Sequence, residues 1–410
     1  LDMVCQKNAD VDFDFEREGI RMQIDGDWVT AKGTTLGADN GIGASAIMAI
    51  LESDAIPHPP LEALFTADEE AGMTGAHNLQ PGFLKGEILL NLDTEDDDEL
   101  SIGCAGGIDT NISWEYRQEP IASDHSAYDL KLRGLYGGHS GMDIIYGRGN
   151  ANKILNRLLW NLSERFDATV SSIQGGGLRN AIPREAEAVV IVPEEKAPEL
   201  EKFWEDQKDL LQQEFATTDP NLAIQWSAVK APEKGMNQDD FQRLVLALQA
   251  TQDGIRRLSP DVEDLVETSN NLASVEAEEG KFTAKMLTRS DRESGKHDMA
   301  HTVAAPFLLL GAEVVHSGTY PGWKLDLRAP MLQMMDQLYQ KLFQKNPKII
   351  ACHAGLECGL LGQHYPHLEM ISFGPTIENP HSPDERVSIS SVQNFWHYLQ
   401  EALQQIPVKS

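Results

Sequence analysis

The sequence predicts an α/β protein with a mostly parallel central sheet, interrupted by an inserted α+β domain. Three observations carry this. Up to about residue 107, apolar strand-like runs alternate with helical runs, and polar residues gather where the runs end. After Cys104-Ala-Gly-Gly107 the texture changes to paired strands separated by single helices. Near Pro321-Gly-Trp323 the first pattern resumes. The expected organisation is a first part of one domain over 1–107, the insert over 108–320, and the rest of the first domain over 321–410.

Taken in order, Leu1 to Val4 reads as the end of a buried strand, followed by an acidic loop (Asp10, Asp12, Asp14, Glu16). Asp25-Gly-Asp27 is a hairpin-type turn. Thr35-Leu-Gly-Ala-Asp39-Asn-Gly-Ile-Gly43 is a glycine-rich turn ahead of an apolar helical run through Ile42, Ala46, Ile47, Ile50 and Leu51. Leu61 to Thr66 reads as a strand, with a second helix starting at Asp68-Glu69-Glu70. Glu87 to Asp93 reads as a buried strand ending on Asp93.

Within the insert, helical periodicity covers residues 150–164, 197–215, 238–252 and 290–310, with strands between them. The pattern suggests a duplicated ferredoxin-like unit. In the last part, a helix is expected over 329–343 and strands at Lys348 to Cys352 and Glu369 to Phe373. A final helix follows, capped by Ser390 or Ser391 and apolar at Val392, Phe395, Trp396, Leu399 and Leu403.

The chain has 410 residues, 41% of them hydrophobic, enough for two domains with buried cores. No apolar run approaches bilayer length. A formal net charge of -30 argues against nucleic acid and anionic membranes as partners. The four cysteines, Cys5, Cys104, Cys352 and Cys358, form no CxxC pair and no disulfide framework, which favours a reducing cytoplasm.

The chemistry is expected at the ends of the outer domain's strands, where Asp2, Asp39, Glu69, Glu70, Asp93 and His381 fall. Carboxylates converging at one sheet edge repel one another unless cations lie among them. An oxygen-rich set with one imidazole suits zinc, manganese or cobalt, with Asp39 shared by two ions. Two ions would lower the pKa of a water held between them. One of Glu69 and Glu70 could ligate while the other handles protons. Gly41-Ile-Gly43-Ala-Ser-Ala46 fits a dinucleotide fingerprint, but it does not follow a buried strand and Asp39 would oppose a pyrophosphate.

The series Asp2, Gly-Ala-Asp39-Asn-Gly, Asp68-Glu69-Glu70, Asn-Leu-Asp93-Thr-Glu, Gly-Gly-His139-Ser-Gly and Pro-His381-Ser-Pro-Asp-Glu resembles the di-zinc exopeptidases of the aminoacylase and glutamate carboxypeptidase type. Through His353-Ala-Gly-Leu-Glu357-Cys-Gly359 and Gly318-Thr-Tyr-Pro-Gly-Trp323, it is similar to their aminoacyl-histidine dipeptidase branch, also called Xaa-His dipeptidase or peptidase D. The resemblance implies that Asp39 bridges two divalent ions, most simply Zn2+, with Co2+ or Mn2+ as substitutes. Asp93 would hold one ion, Glu70 and His381 the other, and Glu69 would be the general base. Asp2 would orient a metal-binding imidazole two residues before it. That imidazole falls just ahead of Leu1, so the resemblance implies a chain shortened at its N-terminus.

By the same resemblance, the insert serves as lid and dimerisation domain of a homodimer. His139 would reach the partner's active site and steady the developing oxyanion. Asn180 and Arg289 would grip the substrate carboxylate, and Glu357 its amino group. The implied activity is hydrolysis of X-His, carnosine-like and other unblocked dipeptides. A deacylase of N-acyl amino acids on the same fold, and a non-catalytic dimeric relative, are the alternatives.

Overall fold

The computed structural model describes residues 3–8 and 10–407. The chain divides into two compact units. One comprises Leu1–Cys104, Trp323–Cys352 and Leu356–Ser410, the other Ala105–Gly322 with His353–Gly355.

The first unit is built on a four-stranded sheet in the order Lys348–Cys352, Glu99–Cys104, Glu369–Ser372, Ile88–Asn91. Its two outer pairings are parallel, and the central pair meets antiparallel at Ser372 and Ser101. Leu100, Ile102 and Ile371 are buried in this sheet. Tyr398 of the helix Ile389–Gln405 donates its hydroxyl to the carbonyl of Met335 on the helix Pro330–Phe343 (2.7 Å).

A second, antiparallel sheet runs Met22–Asp25, Trp28–Ala31, Arg386–Ser388, Ile377–Glu378. Gly26, at φ 60°, makes the first hairpin turn. Pairing of Trp28–Ala31 with Arg386–Ser388 starts two distant loops from one ladder. One is the loop before Asp39, the other the loop that carries His381.

Four local expectations are corrected. Leu61 to Thr66 forms no strand; Leu61 and Phe65 are exposed, and the run has no ladder partner among the described residues. The helix after Asp68 is one turn, Glu69–Gly72, broken by left-handed Met73 before Thr74–Asn78. The last helix is capped by Ser388, whose Oγ accepts the Ser391 N–H (3.2 Å), because the strand Arg386–Ser388 runs directly into a helix that starts at Ile389. Met3 and Val4 form no strand, and Leu1 and Asp2 lie outside the described residues.

The second unit is two βαββαβ modules, one nested in the other. The inner module runs His125–Arg133, helix Ala151–Phe166, Thr169–Gly176, Ala186–Pro193, helix Ala197–Glu214, Ala223–Val229. The outer one begins with Gly106–Glu115 and, after the inner module, continues with helix Gln238–Ala250, Val266–Glu278, Lys281–Ser290, helix Glu293–Leu310 and Glu313–Tyr320. Each sheet has its fourth strand beside its first and its second beside its third, the ferredoxin-like order. Antiparallel pairing of Val266–Glu278 with Thr169–Gly176 fuses the halves, and Gly254–Leu258 adds a ninth strand among the described residues.

The helices of both modules contribute to one hydrophobic core. Helix Ala151–Phe166 shows why. Ile154, Leu155, Leu158, Leu159, Leu162 and Phe166 recur at helical spacing and all are buried. Asn150 caps its start by accepting the N–H groups of Asn152 (3.0 Å) and Lys153 (3.4 Å), and left-handed Asp167 ends it.

Candidate active site

In the first unit, Gly37 turns the chain at φ 73° into the helix Ala38–Glu52, whose Asp39 and Asn40 depart from helical geometry. The departure frees Asp39 from the helix ladder. Its Oδ2 lies 3.0 Å from His381 Nε2, which is also 3.1 Å from Glu70 Oε2. Donor atoms of Asp39, Glu70 and His381 all fall within 4.8 Å of one another. Glu70 and Glu69 form the first turn of Glu69–Gly72, entered through left-handed Asp68.

Asp93 follows the strand Ile88–Asn91 and lies outside that trio. Its carboxyl is pushed well above the usual range, first by desolvation and then by the charges of Asp39, Glu69, Glu357 and Glu95. Glu357, at the start of helix Glu357–His364, accepts the Thr66 hydroxyl at 2.7 Å.

Glu95 is exposed at the surface, yet protein crowds its carboxyl. That desolvation, with the charges of Asp39 and Glu70 outweighing His381, pushes it up to about 7. The hydrogen bond to Asp39, helped by the charges of Glu70 and Asp39 and opposed by desolvation, pushes the His381 imidazole up to about 9. A protonated His381 thus supplies positive charge between two carboxylates where a divalent cation would serve the same end. This donor set, carboxylate-rich with one imidazole, fits hard-to-borderline divalent ions. A separate acidic group, Asp96, Asp98 and Glu99, already has a cation in Lys348, 3.0 Å from Asp98.

In the second unit, the short strand Gly138–His139 pairs with Ala181–Ile182, placing His139 opposite Ala181. The carbonyl of Asn180 accepts the Ser140 N–H (2.7 Å), so Asn180 adjoins the same ladder. His139 Nδ1 accepts the backbone N–H groups of Met142 (3.0 Å) and Gly141 (3.3 Å). In the neutral ring the proton therefore belongs on Nε2, leaving a donor there. Desolvation and the nearby Arg289 charge push His139 down to about 4, so the ring is neutral at pH 7.

Arg289 is buried, with an Nη2 3.5 Å from His139 Nε2 and Nη1 donating to the Tyr320 hydroxyl at 2.7 Å. Its Nε has no hydrogen-bond partner among the described residues. Beside it, buried His353 meets the Ser269 hydroxyl through Nε2 (2.8 Å). Burial, then the Arg289 charge, pushes His353 down to about 3.

Residues 130–219 match the model of the peptidase dimerisation domain of M20 peptidases. Across 412 aligned residues the chain is 43% identical to the cytosol non-specific dipeptidase of Escherichia coli (strain K12), covering 100% of this chain and 84% of that protein. The chain belongs to the M20 dipeptidase family. The crystal structure of aminoacylhistidine dipeptidase from Vibrio alginolyticus superposes with a TM-score of 0.91 at 44% identity, over 100% of this chain and 84% of that one. The dimerisation-domain match falls on the inner ferredoxin-like module of this M20 chain.

Of the residues singled out in the sequence, the first unit gathers Asp39, Glu69, Glu70, Asp93, Glu357 and His381. The second gathers His139, Asn180 and Arg289. Asp2 lies outside the described residues. Sequence reasoning passed over Glu95, hidden in the acidic run from Asp93 to Glu99. It also passed over Glu385, whose signal was its place in the Pro380-His381-Ser-Pro-Asp-Glu385 segment.

Proposed function

We propose that this M20 chain hydrolyses unblocked dipeptides, X-His dipeptides among them, as a metal-dependent cytoplasmic homodimer. The observation that carries the reading is the meeting of Asp39, Glu70 and His381 within 4.8 Å, beside Asp93 and Glu69, in a chain 43% identical to a dipeptidase. Asp39, Asp93, Glu70 and His381 would hold two divalent ions, with Zn2+ the first candidate and Co2+ or Mn2+ substitutes. When bound, such ions supply a water of lowered pKa and Lewis-acid polarisation of the scissile carbonyl.

The remaining work falls to the chain. Glu69 accepts the proton of the attacking water and passes it to the departing amine. His139 donates from Nε2 to the carbonyl oxygen of substrate held by the partner subunit, a contact that strengthens as charge develops there. The buried Arg289 guanidinium, aided by Asn180, takes the free carboxylate of the substrate. Its Nε supports this, because a buried donor without a partner is costly until a ligand pairs with it. Glu357 takes the substrate's amino group. Recognition of both free termini restricts the enzyme to dipeptides.

The test is hydrolysis of alanyl-histidine by chelator-treated protein, before and after adding Zn2+, Mn2+ or Co2+. Alanyl-histidine amide and N-acetyl-histidine serve as comparison substrates. Metal-restored cleavage of the free dipeptide, at least tenfold faster than of either comparison substrate, is expected. Faster cleavage of N-acetyl-histidine would make the protein a deacylase, and no cleavage with any metal would refute the reading.

A further inference from the structure

Four residues past His381, Glu385 is 2% exposed, yet it carries a carboxylate. Its Oε2 accepts the backbone N–H groups of Leu36 (2.7 Å) and Gly37 (3.0 Å). Its Oε1 accepts those of Ala38 (2.8 Å) and Asp39 (3.3 Å). Four successive amides thus converge on one side chain about 350 positions away in sequence. The left-handed turn at Gly37 makes this possible, since it aims consecutive N–H groups into one concavity. No side chain of residue 37 caps the helix Ala38–Glu52, and the carboxylate of Glu385 takes that place at the positive end of the helix.

The ladder between Trp28–Ala31 and Arg386–Ser388 brings the two loops into the same neighbourhood. A ladder fixes strands, not the tips of loops five or more residues away. The four bonds to Glu385 fix the tip itself, ending on the amide of Asp39. We propose that Glu385 is a positioning residue for the metal centre. It fastens the Leu36–Asp39 turn to the His381 loop so that Asp39 Oδ2 and His381 Nε2 face each other. The inference rests on the reading of Asp39 and His381 as metal ligands. Charge-assisted bonds from a buried carboxylate are strong and directional, which is what a ligand pair contributed by distant segments requires.

The conservative variant Glu385→Gln keeps the size of the side chain but turns one acceptor oxygen into an NH2 donor facing backbone N–H groups. Zinc affinity, read by competition with a chromogenic chelator, should fall at least tenfold, in line with losses when groups supporting metal ligands are removed. Glu385→Asp, with a carboxylate one methylene short, should fall between the variant and wild type. A folded Glu385→Gln protein that binds zinc within twofold of wild type, with only a lowered unfolding midpoint, would show a purely structural role and overturn the proposal. Wild-type protein that binds no zinc would instead overturn the underlying metal reading. Amide hydrogen exchange of metal-free wild type needs no variant. Protection at Leu36 to Asp39 matching that of Trp28–Ala31 is expected, and exchange at the rate of an open loop would overturn the proposal.

Discussion

His353 offers a pH experiment whose size can be worked from its surroundings. The imidazole is buried, meets the Ser269 hydroxyl through Nε2, and is held down to about 3 by burial and then by the Arg289 charge, against a hydrogen bond to the Val266 backbone. In the unfolded chain a histidine titrates near 6.5. Below that pH the unfolded chain takes up a proton that folded His353 refuses. The stabilisation from keeping this ring neutral is therefore complete above pH 6.5 and is lost as pH falls toward 3. Each pH unit in that window costs about 1.4 kcal/mol, so acidification to pH 5 removes about 2 kcal/mol through this residue. His353→Gln removes the titration while retaining a donor and an acceptor. Urea unfolding of both proteins at pH 7.5 and pH 5.0 provides the measurement. The wild type should lose about 2 kcal/mol more than the variant. His139, also held low, is present in both proteins and cancels in the difference. Equal losses in the two proteins would mean that His353 accepts a proton in the folded state, and the account of its burial would be wrong.

Three further outcomes are expected. Glu69→Gln should retain the metals by mass spectrometry while turnover falls about 100- to 10,000-fold; near-normal turnover would remove Glu69 as the base. Arg289→Met should weaken transition-state binding of a free dipeptide by about 2–5 kcal/mol while hardly altering the slow cleavage of its C-terminal amide; kcat/KM on the two substrates checks this, and a parallel loss on both would place the guanidinium elsewhere than on the carboxylate. Leu158→Ala empties a fully buried position on the helix Ala151–Phe166 and should cost about 2–5 kcal/mol in denaturant unfolding.

The legible parts of the molecule were those where a local pattern meets a global need. The helix Ala151–Phe166 announces itself because Ile154, Leu155, Leu158, Leu159, Leu162 and Phe166 recur at helical spacing and all six are buried. The strand Lys348–Cys352 does so through an apolar run bounded by polar residues. Leu61 to Thr66 misled because a short apolar run records what could pair, not whether a partner is beside it. Apart from His381, which lies within a loop, the residues brought to the first unit's site sit just past a strand or at the start of a helix, which a linear reading can recognise. Glu385 and Glu95 escape that reading for different reasons. The part played by Glu385 is set by four backbone amides, and amides leave no trace in a sequence. The state of Glu95 depends on Asp39 and Glu70, distant along the chain and adjacent only after folding.

The nesting of one ferredoxin-like module inside the other has a consequence during synthesis. Gly106–Glu115 is a central strand of the outer half, flanked by Lys281–Ser290 and Glu313–Tyr320. The ribosome must add the whole inner module before either neighbour exists, which at 5–20 residues per second leaves that strand waiting for roughly 10–30 s. The inner module, contiguous from His125 to Val229, can close upon itself during that interval. The first strand out is thus among the last to find its partners, and its apolar positions Ile108, Ile112 and Trp114 must stay shielded from other nascent chains until then.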